Sequence, residues 1–332
     1  MVTTISGITN LGENNGDGAT SGFDALFLKK FGGEVATSYG HNLVLMPRVR
    51  QKTLKGGKSY TFGAIGRTTA THHVRAQVVR DAPYVGEITL GERIIFLDRP
   101  IVAEAFTDQF EEFVNHFDVR GPIADELGAA ISELIEDQLM RLLVIGSDST
   151  AGPVADQPGG NDMVYPNAGT NGADLVEAIK EQALYWNNNR VPKAGRFCIV
   201  PPTQYQMLAE RTDFHSMDIN NGRNGSLREG EIGRMYGMDI LESTLVPSTD
   251  TSSDDAPDYG DNGLQNDYRV DAADCVGVFG TPRALGAVQI GGVMIESEYE
   301  RKDKGTWFDA SKIFGAGVLR ESDCGSVRTL AI

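Results

Sequence analysis

The chain has 332 residues, 46 acidic against 30 basic side chains, a formal charge of −16, 40% hydrophobic residues and 39 glycines. That length supports two or more cores. The charge argues against a sequence-reading nucleic-acid binder, whose partner it would repel, though a wall enclosing DNA without adsorbing it would also be acidic. Cys198, Cys275 and Cys324 are far apart and odd in number. They form no C-x-x-C and no disulfide framework, which favours a reducing, intracellular origin. The N-terminus lacks the charged-then-apolar pattern of a secretion signal. No apolar run approaches a membrane span, so no membrane partner is expected.

Residues 1–22, polar and rich in Gly and Asn, read as a flexible arm. Next, Phe23, Leu26, Phe27 and Phe31 share one helical face, which Gly32 and Gly33 should stop or kink. A helix this short has little core of its own and is expected to dock elsewhere on the subunit or on a neighbour. From Lys52 to Asp98 the texture is that of strands, with alternation clearest across Gly86–Phe96. Two strands are expected, folded back through a Gly/Arg/His-rich tip near Gly66–Arg75, with arms of about 20 residues reaching roughly 65 Å. An isolated hairpin is marginal in water, so this one is expected to lie on a partner subunit, with Arg67, His72, His73 and Arg75 at the contact.

Residues 99–120 carry a second amphipathic segment (Val102, Phe106, Phe110, Phe113, Val114, Phe117). From Gly121 to Ile145 the chain is most regular. Ile123, Leu127, Ile131, Leu134, Ile135, Leu139 and Leu142 recur at three- and four-residue spacing and form one stripe of a long helix. Ile123, Leu127, Ile131, Leu134 and Leu142 are its expected core. Pro122 suits the first turn, Asp125 and Glu126 suit the positive end of the dipole, Arg141 suits the negative end, and Gly146 is the expected stop. At 1.5 Å per residue the helix is about 38 Å long, enough to be the spine of a flat subunit. An ordinary core helix would show the same pattern.

Ser147–Gly172 reads as a polar loop and Ala173–Asn189 as a helix with Leu175, Val176, Ile179, Ala183 and Trp186 inward. Arg196–Val200 is a buried strand closed by Pro201 and Pro202, and Thr203–Arg211 a short helix with Thr203 as its N-cap. After the polar loop Asp213–Gly230, Ile232–Glu242 is a turn into a strand, and Pro247–Asn266 is an acidic segment expected to be mobile. Val276–Phe279 and Ala284–Val293 are strands. The tail from Met294 returns to strand character around a basic patch of Arg301, Lys302 and Lys304.

Chemical motifs fail their context tests. Gly57-Lys58-Ser59 ends like a phosphate-binding loop, but Lys52 stands where its first glycine belongs and a strand follows it. His72 and His73 are adjacent, point to opposite faces of a strand and have no further ligand at metal spacing. Asp258–Gly263 resembles a calcium loop, but Arg269 occupies the place of its last carboxylate. No catalytic residue, cofactor or metal is expected. A small-molecule hydrolase built on scattered Asp and His is the reading from another class, and a pocket gathering the histidines would favour it. The positive signal is architectural: an arm, an overlong hairpin and a spine helix suit a part made for a lattice, where head-to-tail contacts close rings.

Ala25-Leu26-Phe27-Leu28-Lys29-x-Phe31-Gly32-Gly33-Glu34-Val35-x-Thr37 closely resembles the N-terminal segment of the T-seven-like short-tailed phage major capsid proteins. Gly57-Lys58-Ser59…Phe62…Gly66-Arg67-Thr68, His116-x-Asp118-Val119-Arg120, Asn189-x-Val191-Pro192 and Ile232…Gly237-Met238-Asp239-Ile240 follow in the family's order and spacing. Pro247–Asn266 and the tail beyond Gly317 fit it less well. The resemblance implies an α+β fold of the HK-97 type. Residues 1–48 would be its N-arm, 49–98 its extended loop, 99–169 and 291–332 its peripheral domain, and 170–290 its axial domain. It also implies self-assembly into hexamers and pentamers of an icosahedral head enclosing double-stranded DNA, made in the bacterial cytoplasm, with a portal protein at one vertex. The chain before the spine helix is too short for a fused scaffolding domain, so a separate scaffolding protein is expected. An encapsulin-like compartment shell is the alternative within the fold.

Overall fold

The chain divides into two compact units: residues 1–43, 100–134 and 290–313 in one, and 44–99, 135–289 and 314–332 in the other. The computed structural model describes residues 33–40, 43–66, 88–108, 120–154, 157–210, 234–253, 259–260 and 264–330. The arm 1–22, the apolar face of Phe23, Leu26, Phe27 and Phe31, and the hairpin tip with Arg67, His72, His73 and Arg75 lie outside these.

In the second unit, β1 (Arg50–Leu54) and β2 (Ser59–Ile65) are parted by a turn where Gly57 takes φ 111°, a conformation open to glycine. β3 (Leu90–Phe96) pairs antiparallel with β2, from Ser59↔Phe96 to Ile65↔Leu90. The first arm of the expected hairpin is therefore two strands in two different sheets, because the glycine turn breaks the run.

The segment expected to be amphipathic over 99–120 opens as a strand, β4 (Ile101–Asp108), in which Val102, Glu104 and Phe106 are exposed on alternate positions. The spine is α1 (Arg120–Asp148), 29 residues long. Leu127, Ile131 and Leu142 are buried as expected, while Ile123 and Leu134 are half-buried. Its first half has one apolar stripe, but from Gln138 to Val144 every residue is buried, as in a helix enclosed on all sides. Gly146 does not stop it. A Cβ there would stand 2.6 Å from Cys324 Sγ and 3.2 Å from Val318 Cγ1, so the glycine permits close packing inside the helix.

The loop expected over 147–172 contains β5 (Asn161–Val164). α2 (Gly172–Asn188) starts where the Asn171 side chain accepts from the Ala173 N–H at 3.0 Å. β6 (Phe197–Val200) is wholly buried. α3 (Pro202–Ala209) begins one residue before the expected cap. Pro202 takes the first helical position, where its missing N–H is harmless, and Pro201 rather than Thr203 is the N-cap. β7 (Arg234–Met235) and β8 (Met238–Glu242) are joined by Tyr236 and Gly237, both at positive φ (48° and 82°), which is the two-residue hairpin turn. β9 (Cys275–Gly280) follows. β10 (Leu285–Glu300) is one continuous strand across the two expected segments, and a turn carrying Arg301, Lys302 and Lys304 leads into β11 (Gly305–Val318). β12 (Gly325–Arg328) completes a six-stranded sheet ordered β5-β12-β9-β6-β8-β7. On this sheet α2 packs Leu175, Ile179 and Trp186 against Cys198, Val200, Phe279 and Val327.

In the first unit, β4 pairs antiparallel with β11 from Gly305↔Asp108 to Lys312↔Ile101. Residues 33–40 are helical. This run lies close on α1, where the Ser38 hydroxyl donates to Asp125 O at 2.7 Å. A Cβ at Gly128 would come within 2.6 Å of Val35 O.

Candidate assembly surfaces

The register of β2 with β3 sorts the hairpin into two faces. Tyr60, Phe62, Ala64, Gly91, Arg93 and Ile95 share one of them. Phe62 and Ile95 are buried there against Val288 and Leu319. Arg93 pairs with Glu321, whose carboxyl is raised by burial against the pull of that cation. Arg50 lies 5.5 Å over the Phe62 ring and Lys52 5.3 Å over Tyr60, so this root is basic as well as aromatic.

The opposite face carries Ile65, Leu90, Ile94 and Phe96, which are 62%, 77%, 47% and 37% exposed in the lone subunit. Single exposed apolar residues are ordinary. Four sharing one face of a two-stranded sheet form a patch of the kind that marks an interaction site.

A second patch lies on the first unit. Phe106 and Trp307 are cross-strand partners with ring centroids 5.0 Å apart, and Val102 lies four residues along the same face. All three are exposed, with Glu104 and Asp309 between them. On the other face of β11, Phe308, Ala310 and Lys312 are buried. Lys312 Nζ stands 5.1 Å over the Tyr39 ring, and burial lowers its pKa. Sequence reasoning missed this patch as a unit. The signal present was the period of two across Val102, Glu104 and Phe106, while the Trp307 partner arrives only through long-range pairing.

Burial raises the thiol pKa of Cys198, Cys275 and Cys324, that of Cys275 to about 11, which makes them packing groups rather than nucleophiles. Among the described residues no cluster of His, Cys, Asp or Glu is placed to hold a metal ion.

The model of the Gp10A-like major capsid proteins matches residues 61–328, most of the chain. The chain belongs to this family. Among curated relatives, the major capsid protein of Enterobacteria phage T3 is 25% identical over 351 aligned residues, covering 97% of each chain. That of Escherichia phage T7 is 22% identical over 353, covering 98% of each. Among solved structures, the capsid of cyanophage P-SCSP1u superposes with a TM-score of 0.72 at 24% identity, over 84% of this chain and 86% of that one. The fold is thus the HK97-type capsid fold, an α+β architecture, and this Gp10A-like protein is a structural component of a phage virion that assembles with copies of itself. In it, the two exposed patches are the surfaces to examine for subunit contact.

Proposed function

We propose that this Gp10A-like protein forms the hexamers and pentamers of an icosahedral head around a double-stranded DNA genome, with no catalytic role of its own. The observation that carries the reading is the outer face of the β2–β3 hairpin, apolar and exposed among the described residues. Ile65, Leu90, Ile94 and Phe96 would be covered by a neighbouring copy, each large side chain contributing about 1.5–3 kcal/mol when fully buried. Residues 49–98 then act as the extended loop, 1–48 as the N-arm, 99–169 and 291–332 as the peripheral domain, and 170–290 as the axial domain. Phe23, Leu26, Phe27 and Phe31 would dock the arm on a neighbour, and Arg67, His72, His73 and Arg75 would meet one at the hairpin tip. The family membership and the acidic charge of −16 both suit a wall that holds DNA without binding its sequence.

A separate scaffolding protein would guide assembly in the host cytoplasm and a portal protein would occupy one vertex. The test is electron microscopy of the chain expressed with and without the phage's scaffolding protein. Uniform closed shells with it, and aberrant or absent shells without it, are expected. Dispersed subunits in both samples would overturn the reading. Phe27→Asp should leave a soluble subunit that makes no shells, and normal particles from it would remove the arm from the contact.

A further inference from the structure

The β2–β3 hairpin lies on a mostly apolar surface, held along its length by the Arg93–Glu321 pair and by the Gln157 amide donating to Ile65 O at 3.3 Å. Its inner side rests on Val288 and Leu319 and on three glycines. A Cβ at Gly286 or Gly317 would meet the Ile95 side chain at 3.0 and 3.2 Å, and one at Gly315 would stand 2.0 Å from Phe96 O. Apolar contact with a flat glycine surface holds a strand down without fixing its angle, since the hydrophobic effect is non-directional.

At the root of the hairpin, direction comes from residues 265–268, which end and follow the acidic segment. The Asn266 amide grips the main chain of Phe96 from both sides, its Nδ2 donating to Phe96 O at 2.8 Å and its Oδ1 accepting from Phe96 N at 3.3 Å. Beside it the Asp98 carboxylate accepts four hydrogen bonds. These come from the Gln265 and Asn266 N–H groups at 2.8 and 3.1 Å, from Asn266 Nδ2 at 2.7 Å and from the Tyr268 hydroxyl at 2.6 Å. Tyr268 is fully buried and its oxygen also accepts from Ala316 N at 3.1 Å. The clamp is itself anchored. Thr251 N donates to Val270 O at 3.0 Å, and the Thr251 hydroxyl accepts from Arg141 of α1 at 2.8 Å. Arg141 also stacks on Tyr259, 4.1 Å from the ring centroid. The segment that composition reads as mobile is thus tied at one end to the spine helix and at the other to the hairpin root.

We propose that Asn266, Asp98 and Tyr268 form a clamp that fixes the angle of the hairpin, and that releasing it lets the hairpin swing on its glycine seat. The clamp is a property of the single chain. Only its consequence for particles rests on the assembly reading above. The test is hydrogen–deuterium exchange on the full unassembled chain, with wild type, Asn266→Ala and Asn266→Asp. The aspartate keeps the shape of asparagine but sets a second carboxylate against Asp98.

Exchange over residues 59–66 and 90–98 should rise roughly tenfold in Asn266→Ala and further in Asn266→Asp. Phe197–Val200 and Cys275–Gly280 should keep wild-type exchange in both. Unchanged hairpin exchange in both variants, or equal acceleration in the control strands, would overturn the clamp. If the hairpin amides open as expected but shells still form normally, the clamp stands and the hairpin's role in assembly fails.

Discussion

The second half of α1 and the β2–β3 hairpin spend their side chains in opposite ways. Inside the helix, polar groups are buried and satisfied. Glu136 is 1% exposed, yet its carboxylate accepts from Leu45 N at 3.0 and 2.8 Å and from Met46 N at 2.9 Å. At the helix end Arg328, fully buried, donates to Asp148 at 2.8 and 2.9 Å, to Asp162 at 3.1 Å and to Asp271 O at 2.6 Å. That cation also sits at the negative end of the dipole and offsets Asp148, an anion where one is unfavourable. On the hairpin the reverse holds: among the described residues, large apolar side chains lie exposed on its outer face. Interior polar networks make one subunit fold one way, and in the assembly proposed above the exposed apolar face is what meets another copy.

Substitutions that break the first region should unfold the subunit, and those in the second should leave it folded. The largest loss is expected from Arg328→Ala, which strands two carboxylates. It should cost about 3 kcal/mol in urea denaturation, the low end for breaking a buried pair, because Asp148 is 38% exposed. A loss under about 1 kcal/mol would show that the network is not what holds the helix end.

Glu136→Ala should cost about 1–3 kcal/mol by leaving two buried N–H groups unpaired, whereas Glu136→Gln keeps an acceptor and should cost less. Burial raises the Glu136 carboxyl above its usual 4.5, against backbone hydrogen bonds that favour the charged form. The folded chain therefore takes up this proton before the unfolded one does. The stabilisation it brings is complete below the unfolded value and is lost as pH rises through the raised one. Glu136→Gln should flatten the stability profile in that window, and an unaltered profile would assign the pH dependence elsewhere.

Gly146→Ala sets a helix-propensity gain of about 1 kcal/mol against overpacking on Cys324 of about 1–3 kcal/mol. A net loss is expected, relieved when Cys324→Ala is added. A lone Gly146→Ala that stabilises would return the glycine to a mere helix-weakening residue. The smallest change in subunit stability, within about 0.5 kcal/mol, is expected from Leu90→Asp with Ile94→Asp, since both side chains are exposed. The same pair should abolish shells. A matching loss in subunit and shell would erase the contrast between the two regions.

Where signals were local, the sequence was legible. The stripe from Leu127 to Leu142, the helix over Ala173–Asn189 and the Gly237 turn are all legible from neighbours in the chain. Non-local causes defeated it elsewhere. Gly146 carried a stop signal, yet Cys324 and Val318 from the far end of the chain pack where its Cβ would be. β5 hides in a polar loop because its partner is β12, in parallel and distant in sequence. Alternation across Gly86–Phe96 announced a two-faced strand, but which face stays exposed depends on the seat that Val288 and Leu319 provide. The Phe106–Trp307 pair needed the register of β4 with β11 before it could be seen.

The most direct test is hydroxyl-radical footprinting of Ile65, Leu90, Ile94 and Phe96 in the unassembled subunit and in assembled shells. These four should be labelled readily in the subunit and strongly protected in the shell, while buried Trp186 stays unlabelled in both. Equal labelling of the four in both states would contradict the claim that the outer face of the hairpin is where one subunit meets the next.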